Sequence, residues 1–217
     1  MMKILHVSCS PRGQASESYR LSQKIIAFLL KSEPAAILVN RGIGDAAISH
    51  IDANYAHAQH SSAAEISQEG SIARSEELIQ ELESSDIVVI GTPMHNFTIP
   101  SALKAWIDHV VRARRTFNAT ADGKAGMLRD RPVFVAVASG GRYSGARARQ
   151  PDFLTPYLKA ILSTIGLQDL NFFSIQGTGL GPDALAEART RSDQALHEFF
   201  FLLPLSLRAD VHRSDRR

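Results

Sequence analysis

A single cysteine, Cys9, stands in a chain of 217 residues. That excludes an intrachain disulfide framework and any zinc or iron–sulfur site built on several thiolates. No apolar run approaches the ~18 residues that a membrane-spanning helix needs, and the opening MMKILHVSCS breaks at Pro11 too early for a secretory signal. Excess charge of one sign is missing as well: 24 Lys and Arg stand against 22 Asp and Glu, a net charge of +2. This speaks against a nucleic-acid-binding surface and against an acidic tail. The phosphate loop G-x-x-x-x-G-K-[ST] and the hydrolase elbow G-x-S-x-G are both absent. What remains is the expectation of a soluble, cytoplasmic globular protein. Its 44% apolar and 21% charged residues suffice for a sizeable core.

The order of elements is more informative. Ile4 to Val7 is a short run rich in branched residues, stopped by the turn cluster Ser8-Cys9-Ser10-Pro11-Arg12-Gly13. From Ser16 the apolar residues Leu21, Ile25, Ile26, Leu29 and Leu30 recur at helical spacing. Ala35 to Asn40 reads as a second strand, and 41–70 as a long polar loop with room for a short helix. Ser71 to Ser84 is a predicted helix. The IVVIG run that follows Asp86 suits a strand covered on both faces. Pro100 to Arg115 carries an apolar helical stripe, and 116–131 is a Gly-containing excursion. The strand VFVAVAS then leads into the basic excursion GGRYSGARARQPD. A helix over Phe153 to Ile165, a strand over Leu170 to Ile175 and a helix over Pro182 to Leu203 complete the series, with a charged tail over 204–217.

Five strands alternating with five helices predict an α/β protein. The expected form is a flavodoxin-like, doubly wound, five-stranded parallel sheet of order 2-1-3-4-5 with helices on both faces, one domain over 1–203. A (β/α)8 barrel would need three more units. In an open sheet of this order, ligands bind beyond the carboxyl ends of the strands where the order reverses. Three loops therefore matter. The first, Ser10 to Ser18, offers small hydroxyls and a helix N-terminus, which suit a phosphate; Ser16 or Ser18 as a plain helix cap is the competing reading. Glu17 would repel a phosphate unless its side chain faced out. The second, Gly91 to Pro100, sets Met94, His95, Asn96 and Phe97 between prolines, so it can lie flat on a planar heterocycle or serve as a rigid connector with Phe97 in the core. The third, Ser139-Gly140-Gly141-Arg142, allows close backbone approach or a simple turn. Gly177, Gly179 and Gly181 lack dinucleotide spacing and are read as a chain reversal.

Taken together, the ThrProMetHisAsnPhe segment, the serine loop and the SerGlyGly loop resemble the FMN-dependent NAD(P)H azoreductases, a branch of the flavodoxin-like quinone reductases. The LeuThrProTyrLeu segment at 154–158 and the GlyProAspAla start of the last helix extend the resemblance from about Lys3 to Phe200. It implies that Ser10, Ser16, Glu17 and Ser18 hold the FMN phosphate. Met94, His95, Asn96 and Phe97 would line the ring edge, and Ser139, Gly140, Gly141 and Arg142 would close on the pyrimidine end. It further implies NADH or NADPH as electron donor, a quinone or azo compound as acceptor, and a homodimer with the site at the subunit interface. Donor and acceptor would use one site in turn, since no second dinucleotide-binding unit is evident. No catalytic acid or base and no metal is expected.

Other readings are weaker. Cys9 after the first strand is where tyrosine phosphatases of low molecular weight carry their nucleophile, but the Arg expected six positions on is Ala15 here. His50, Asp52, His57 and His60 could form a metal cluster, yet they lie in a segment without helical period, which favours a solvated loop. A flavodoxin-like electron carrier or sensor is the alternative without turnover. The basic stretch Arg142 to Arg149 is read mostly as a solvated face, with attraction of NAD(P)H phosphates as the alternative.

Overall fold

The computed structural model describes residues 1–45, 48–58 and 69–202. The strands β1 (Lys3–Ser8), β2 (Ile37–Gly42), β3 (Ile87–Pro93), β6 (Val133–Ser139) and β7 (Leu170–Gln176) form a parallel sheet of order β2-β1-β3-β6-β7. The expected 2-1-3-4-5 order is therefore present. Period-two alternation divides each strand between two covers. Leu5, Val7, Val88, Ile90, Val133, Val135 and Val137 face a layer supplied by α3 (Gly70–Ser84), α4 (Ser101–Val110) and α5 (Leu154–Thr164). Ile4, Ile87, Val89, Phe134, Ala136, Phe173 and Ile175 face α1 (Glu17–Ser32) and α6 (Pro182–Leu202). The near-continuous apolar sequence of β3 and β6 is what a strand with two dry faces demands.

Several boundaries differ from the sequence reading. The second strand runs over Ile37–Gly42, two residues later than expected, because Ala36 is held in a turn by Glu33 and pairing with β1 starts at Lys3↔Ile37. The fourth helix stops at Val110, five residues short of Arg115. Thr116, fully buried, ends it: its hydroxyl donates to the Val110 carbonyl at 2.7 Å and accepts from Arg112 N at 2.9 Å. Arg114 then adopts a left-handed φ of 63°. The 116–131 excursion contains an antiparallel hairpin, β4 (Phe117–Thr120) with β5 (Gly123–Gly126). The long 41–70 segment holds a short helix, α2 (Ala53–Ala58). Asp52 caps that helix by accepting from Tyr55 N at 2.8 Å, and its other oxygen accepts from Ser71 N at 3.3 Å. Of the histidines weighed as metal ligands, His60 lies outside the described residues, as does the 204–217 tail. Among the described residues no group of three His, Cys, Asp or Glu side chains is placed to hold a metal, and no helix is long and apolar enough to cross a membrane.

Candidate functional site

The three loops singled out above all leave the carboxyl ends of β1, β3 and β6, three strands that lie side by side. Backbone bonds draw them together. Cys9 N donates to Gly91 O at 2.8 Å, and Met94 N donates to Ala138 O at 2.8 Å. Gly91 lets α1 settle on β3: a Cβ there would stand 2.9 Å from Ser22 Oγ and 3.1 Å from the Ser18 carbonyl. The start of α1 is thereby fixed beside the middle of the site.

In the first loop, Ser10 and Ser16 are nearly buried and Ser18 is fully so. Residues Gly13–Ala15 make one 3-10 turn. Ser16 is the N-cap of α1: its Oγ accepts from Tyr19 N at 3.2 Å and donates to Gly13 O at 2.9 Å. Having spent its proton on Gly13, Ser16 can only accept from Ser18 Oγ, 3.3 Å away. Ser10 Oγ accepts from Arg12 N at 3.2 Å, which leaves its own proton for another acceptor. The Glu17 and Ser18 amides sit in the first turn of α1, where a helix has no acceptor of its own to offer. The Glu17 carboxylate is held elsewhere, by Arg189 of α6 and by Arg20 Nε at 3.0 Å, and these cations keep it below the usual carboxylate range.

The second loop is a two-residue reversal. His95 and Thr98 exchange backbone bonds at 2.9 and 3.0 Å. Between them Asn96 and Phe97 take left-handed φ values of 47° and 69°. Asn tolerates that region, whereas for Phe it costs roughly 1–2 kcal/mol. Phe97 is 44% exposed rather than packed in the core, so the connector reading with a buried Phe97 does not hold. Met94 is buried, with its sulfur 3.8 Å from Ser139 Oγ.

In the third loop, the carbonyls of Ser139, Gly140 and Gly141 accept from the amides of Gly177, Thr178 and Gly179 at 2.9–3.1 Å. The glycine-rich 177–181 segment thus braces this loop and reverses the chain, as its spacing suggested. A Cβ on Gly140 would meet nothing within 4 Å, so this position is open. Arg142 belongs to the loop by its backbone, while its guanidinium reaches toward Glu187 of α6, 4.0 Å away.

Two neighbours were not legible in the sequence. The Gln150 side chain folds back over Gly141 and donates to Ser139 Oγ and Met94 Sδ, both at 3.2 Å. Phe153 donates its N–H to the Phe97 carbonyl at 3.0 Å and leaves its ring 59% exposed. Both lie in or beside the basic excursion, which shows no periodicity to mark an inward-facing side chain. Cys9 is fully buried, and desolvation pushes its thiol far above the ordinary range. It has neither the thiolate nor the Arg that nucleophilic chemistry would need.

Residues 2–200 match a family model described as having the flavodoxin-like fold. The chain is 47% identical over 195 residues to FMN-dependent NADH:quinone oxidoreductase 5 of Burkholderia lata, covering 90% of this chain and 94% of that protein. It is 44% identical to FMN-dependent NADH:quinone oxidoreductase 4 of Pseudomonas fluorescens, again covering 90% and 94%. Among solved structures, an azoreductase from Bacillus anthracis superposes with a TM-score of 0.81 at 22% identity, covering 92% of this chain and 99% of that one. An FMN-dependent NADH-azoreductase from the same species, solved in complex with FMN, gives 0.72 at 26% identity with the same coverage.

Proposed function

From the premise that this chain belongs to the family of flavodoxin-like FMN-dependent NADH:quinone oxidoreductases, we propose that it passes two electrons from NADH to quinones and azo compounds, using FMN held across the three loops. The observation that carries this reading is the turn at Asn96-Phe97. Strain at a non-glycine residue persists where surrounding structure imposes it, and such residues gather at ligand sites.

The residues fit the cofactor. The first-turn amides of Glu17 and Ser18 and the uncommitted hydroxyl proton of Ser10 form a small, electropositive niche for a phosphate, with Ser16 fixing it as the cap of α1. The Glu17 carboxylate, which would oppose an anion, is drawn away by Arg20 and Arg189. Met94, His95, Asn96 and Phe97 would hold the ring edge. Ser139, Gly140 and Gly141, with the Arg142 backbone, would face the pyrimidine end, where Gly140 is open enough for close approach. When bound, FMN supplies a two-electron carrier that accepts hydride at N5. The amides of Gly140 and Gly141 would stabilise negative charge that develops near the pyrimidine, because fixed dipoles in a dry site need little reorganisation. Phe97 and Phe153 offer exposed rings against which a flat acceptor can lie. No side chain is assigned as acid or base, since water can protonate a reduced quinone.

Donor and acceptor would occupy this one face in turn, and initial-rate plots at several fixed quinone concentrations should give parallel lines. Intersecting lines would show both substrates bound together and overturn the shared site. Homodimerisation would cover the exposed apolar groups around the site, and sedimentation at micromolar concentration reads it. A cytoplasmic location follows from the need for NADH. The direct test is purification: yellow protein that turns over NADH steadily with benzoquinone supports the enzyme, and yellow protein without turnover would indicate a carrier. Colourless protein with no affinity for added FMN would reject the whole reading.

A further inference from the structure

The outer edge of the sheet carries a second concave site. A cavity of about 440 Å³ lies between β7, the 142–147 loop and one face of α6. Arg142, Arg147 and Arg191 line it, together with Ser144, Ser174 and Ser192. Glu187 is the acid shared by these cations, 4.0 Å from Arg142, 3.2 Å from Arg147 and 3.4 Å from Arg191. Three positive charges therefore meet one negative charge. Arg142 Nε is buried without a hydrogen-bond partner, a condition that costs a folded protein free energy unless something outside the chain relieves it.

The frame is preformed. Gln176 Oε1 accepts from Tyr143 N at 2.9 Å and from Ser144 N at 3.1 Å, and its Nε2 donates to Ser144 Oγ and Ser174 Oγ at 2.6 and 2.9 Å. Arg149 N donates to Arg142 O at 2.8 Å and pinches the loop shut. Holding the loop in advance reduces the entropy that a ligand must overcome.

We propose that this cavity binds a phosphate ester, with Arg142, Arg147 and Arg191 on its oxygens and the Ser144 hydroxyl, which only accepts from Gln176, completing the shell. A phosphate monoester carries about −1.5 to −2 at pH 7, which matches the surplus left after Glu187. Guanidinium forks also fit phosphate oxygens in pairs. The site is not the flavin phosphate niche. That niche follows β1, and β1 and β7 are three strand spacings apart, about 14 Å. Because the pocket begins in the loop that carries Ser139 to Gly141, its ligand is either the adenylate end of the nicotinamide donor or a separate phosphate ester. Only the first of these rests on the proposed function.

Calorimetric titration of the purified holoprotein with ADP and with pyrophosphate tests the proposal without any turnover. Arg147→Glu with Arg191→Glu, both on exposed side chains outside the flavin site, should weaken binding about tenfold or more. Arg147→Gln with Arg191→Gln should weaken it less, and checks that charge rather than misfolding is responsible. A tenfold rise in KM for NADH with no change for reduced nicotinamide mononucleotide, which lacks the adenylate, identifies the donor's own phosphates. Weakened ADP binding with unchanged KM for NADH identifies a separate phosphate ester. Absence of ADP and pyrophosphate binding, or equal affinity in wild type and both variants, overturns the site. Neither result touches flavin content or quinone reduction, so failure here is distinct from failure of the proposed function.

Discussion

Phe97 carries a side chain through a backbone region that glycine would enter freely, and nearly half of its surface is exposed to solvent. Phe97→Gly therefore has opposing effects on stability: relief of left-handed strain, against greater freedom of the unfolded chain. The midpoint of urea unfolding should change by no more than the equivalent of about 1 kcal/mol. Quinone reduction should fall by about tenfold through a higher KM for the acceptor, since an aromatic contact is worth roughly 0.5–1.5 kcal/mol beyond its area. A large stability loss with intact KM would make Phe97 a structural residue. Cys9→Ser should leave flavin content and turnover nearly unchanged, with a cost of about 1–3 kcal/mol for a hydroxyl in a dry site; loss of turnover in folded, yellow protein would return the thiol to the chemistry. Motif residue types marked the three loops, but not which way each side chain turns. Glu17 faces Arg189 and Arg142 faces Glu187, through contacts 172 and 45 positions away in sequence that leave no local trace.

Among the elements, α3 ends on an unusual support. Arg131, almost fully buried, donates from Nη1 to the carbonyls of Leu82 at 2.6 Å, Glu83 at 3.1 Å and Ser85, and from Nε to Arg129 O at 3.0 Å. A cation at a helix C-terminus meets the negative end of the macrodipole and satisfies carbonyls that the helix cannot. Arg131→Ala should lower stability by about 2–4 kcal/mol, read as a lower urea midpoint with an unchanged slope, and Arg131→Lys should recover only part of it. An unaffected midpoint would mean that water replaces the guanidinium without loss. The same distance in sequence explains the missed hairpin. β4 and β5 have four residues each, and GKAG in β5 has no strand pattern. Tertiary contact holds them: Leu128 N donates to Ile165 O at 3.0 Å, and a Cβ on Gly126 would come within 2.2 Å of Gly166 N. Long periodic helices such as α1, by contrast, were readable to within two residues, because their burial face is written into local spacing.

Across the whole molecule, two buried histidines shape the response to acid. His6 of β1 lies between Asn40 Oδ1 at 3.0 Å and Ser22 Oγ at 2.8 Å. His109 of α4 is fully buried beside Tyr55, and neither ring nitrogen has a partner. Desolvation lowers both below their ordinary value of 6.5, partly opposed by Asn40 for His6 and by Asp108 for His109. The folded state therefore binds fewer protons than the unfolded state, so stability is full above pH 6.5 and declines as pH falls through that value. Two such groups give a limiting slope of about 2.7 kcal/mol per pH unit. Glu76, held at about 2 by Arg115 and Arg112, adds a further loss below its ordinary value of 4.5. Urea midpoints measured from pH 8 to pH 5 should fall, and His109→Leu should roughly halve the slope; a flat profile would show that neither ring stays neutral in the folded protein.

Composition and hydrophobic period by themselves determined the α/β class and the alternation of strands with helices. Those properties follow from which residues can be buried on which face, a matter of spacing along the chain. Only the tertiary structure decided what meets at the three loops and beyond them. It placed the Gln150 side chain over Gly141, exposed Phe97 on a strained turn, ended the fourth helix at Val110, and gathered Arg142, Arg147 and Arg191 around one carboxylate. The contact of Gln150 with Met94 and the meeting of Arg142 and Arg147 with Glu187 join side chains tens of positions apart, whose approach is set by the packing of whole elements rather than by their neighbours in sequence.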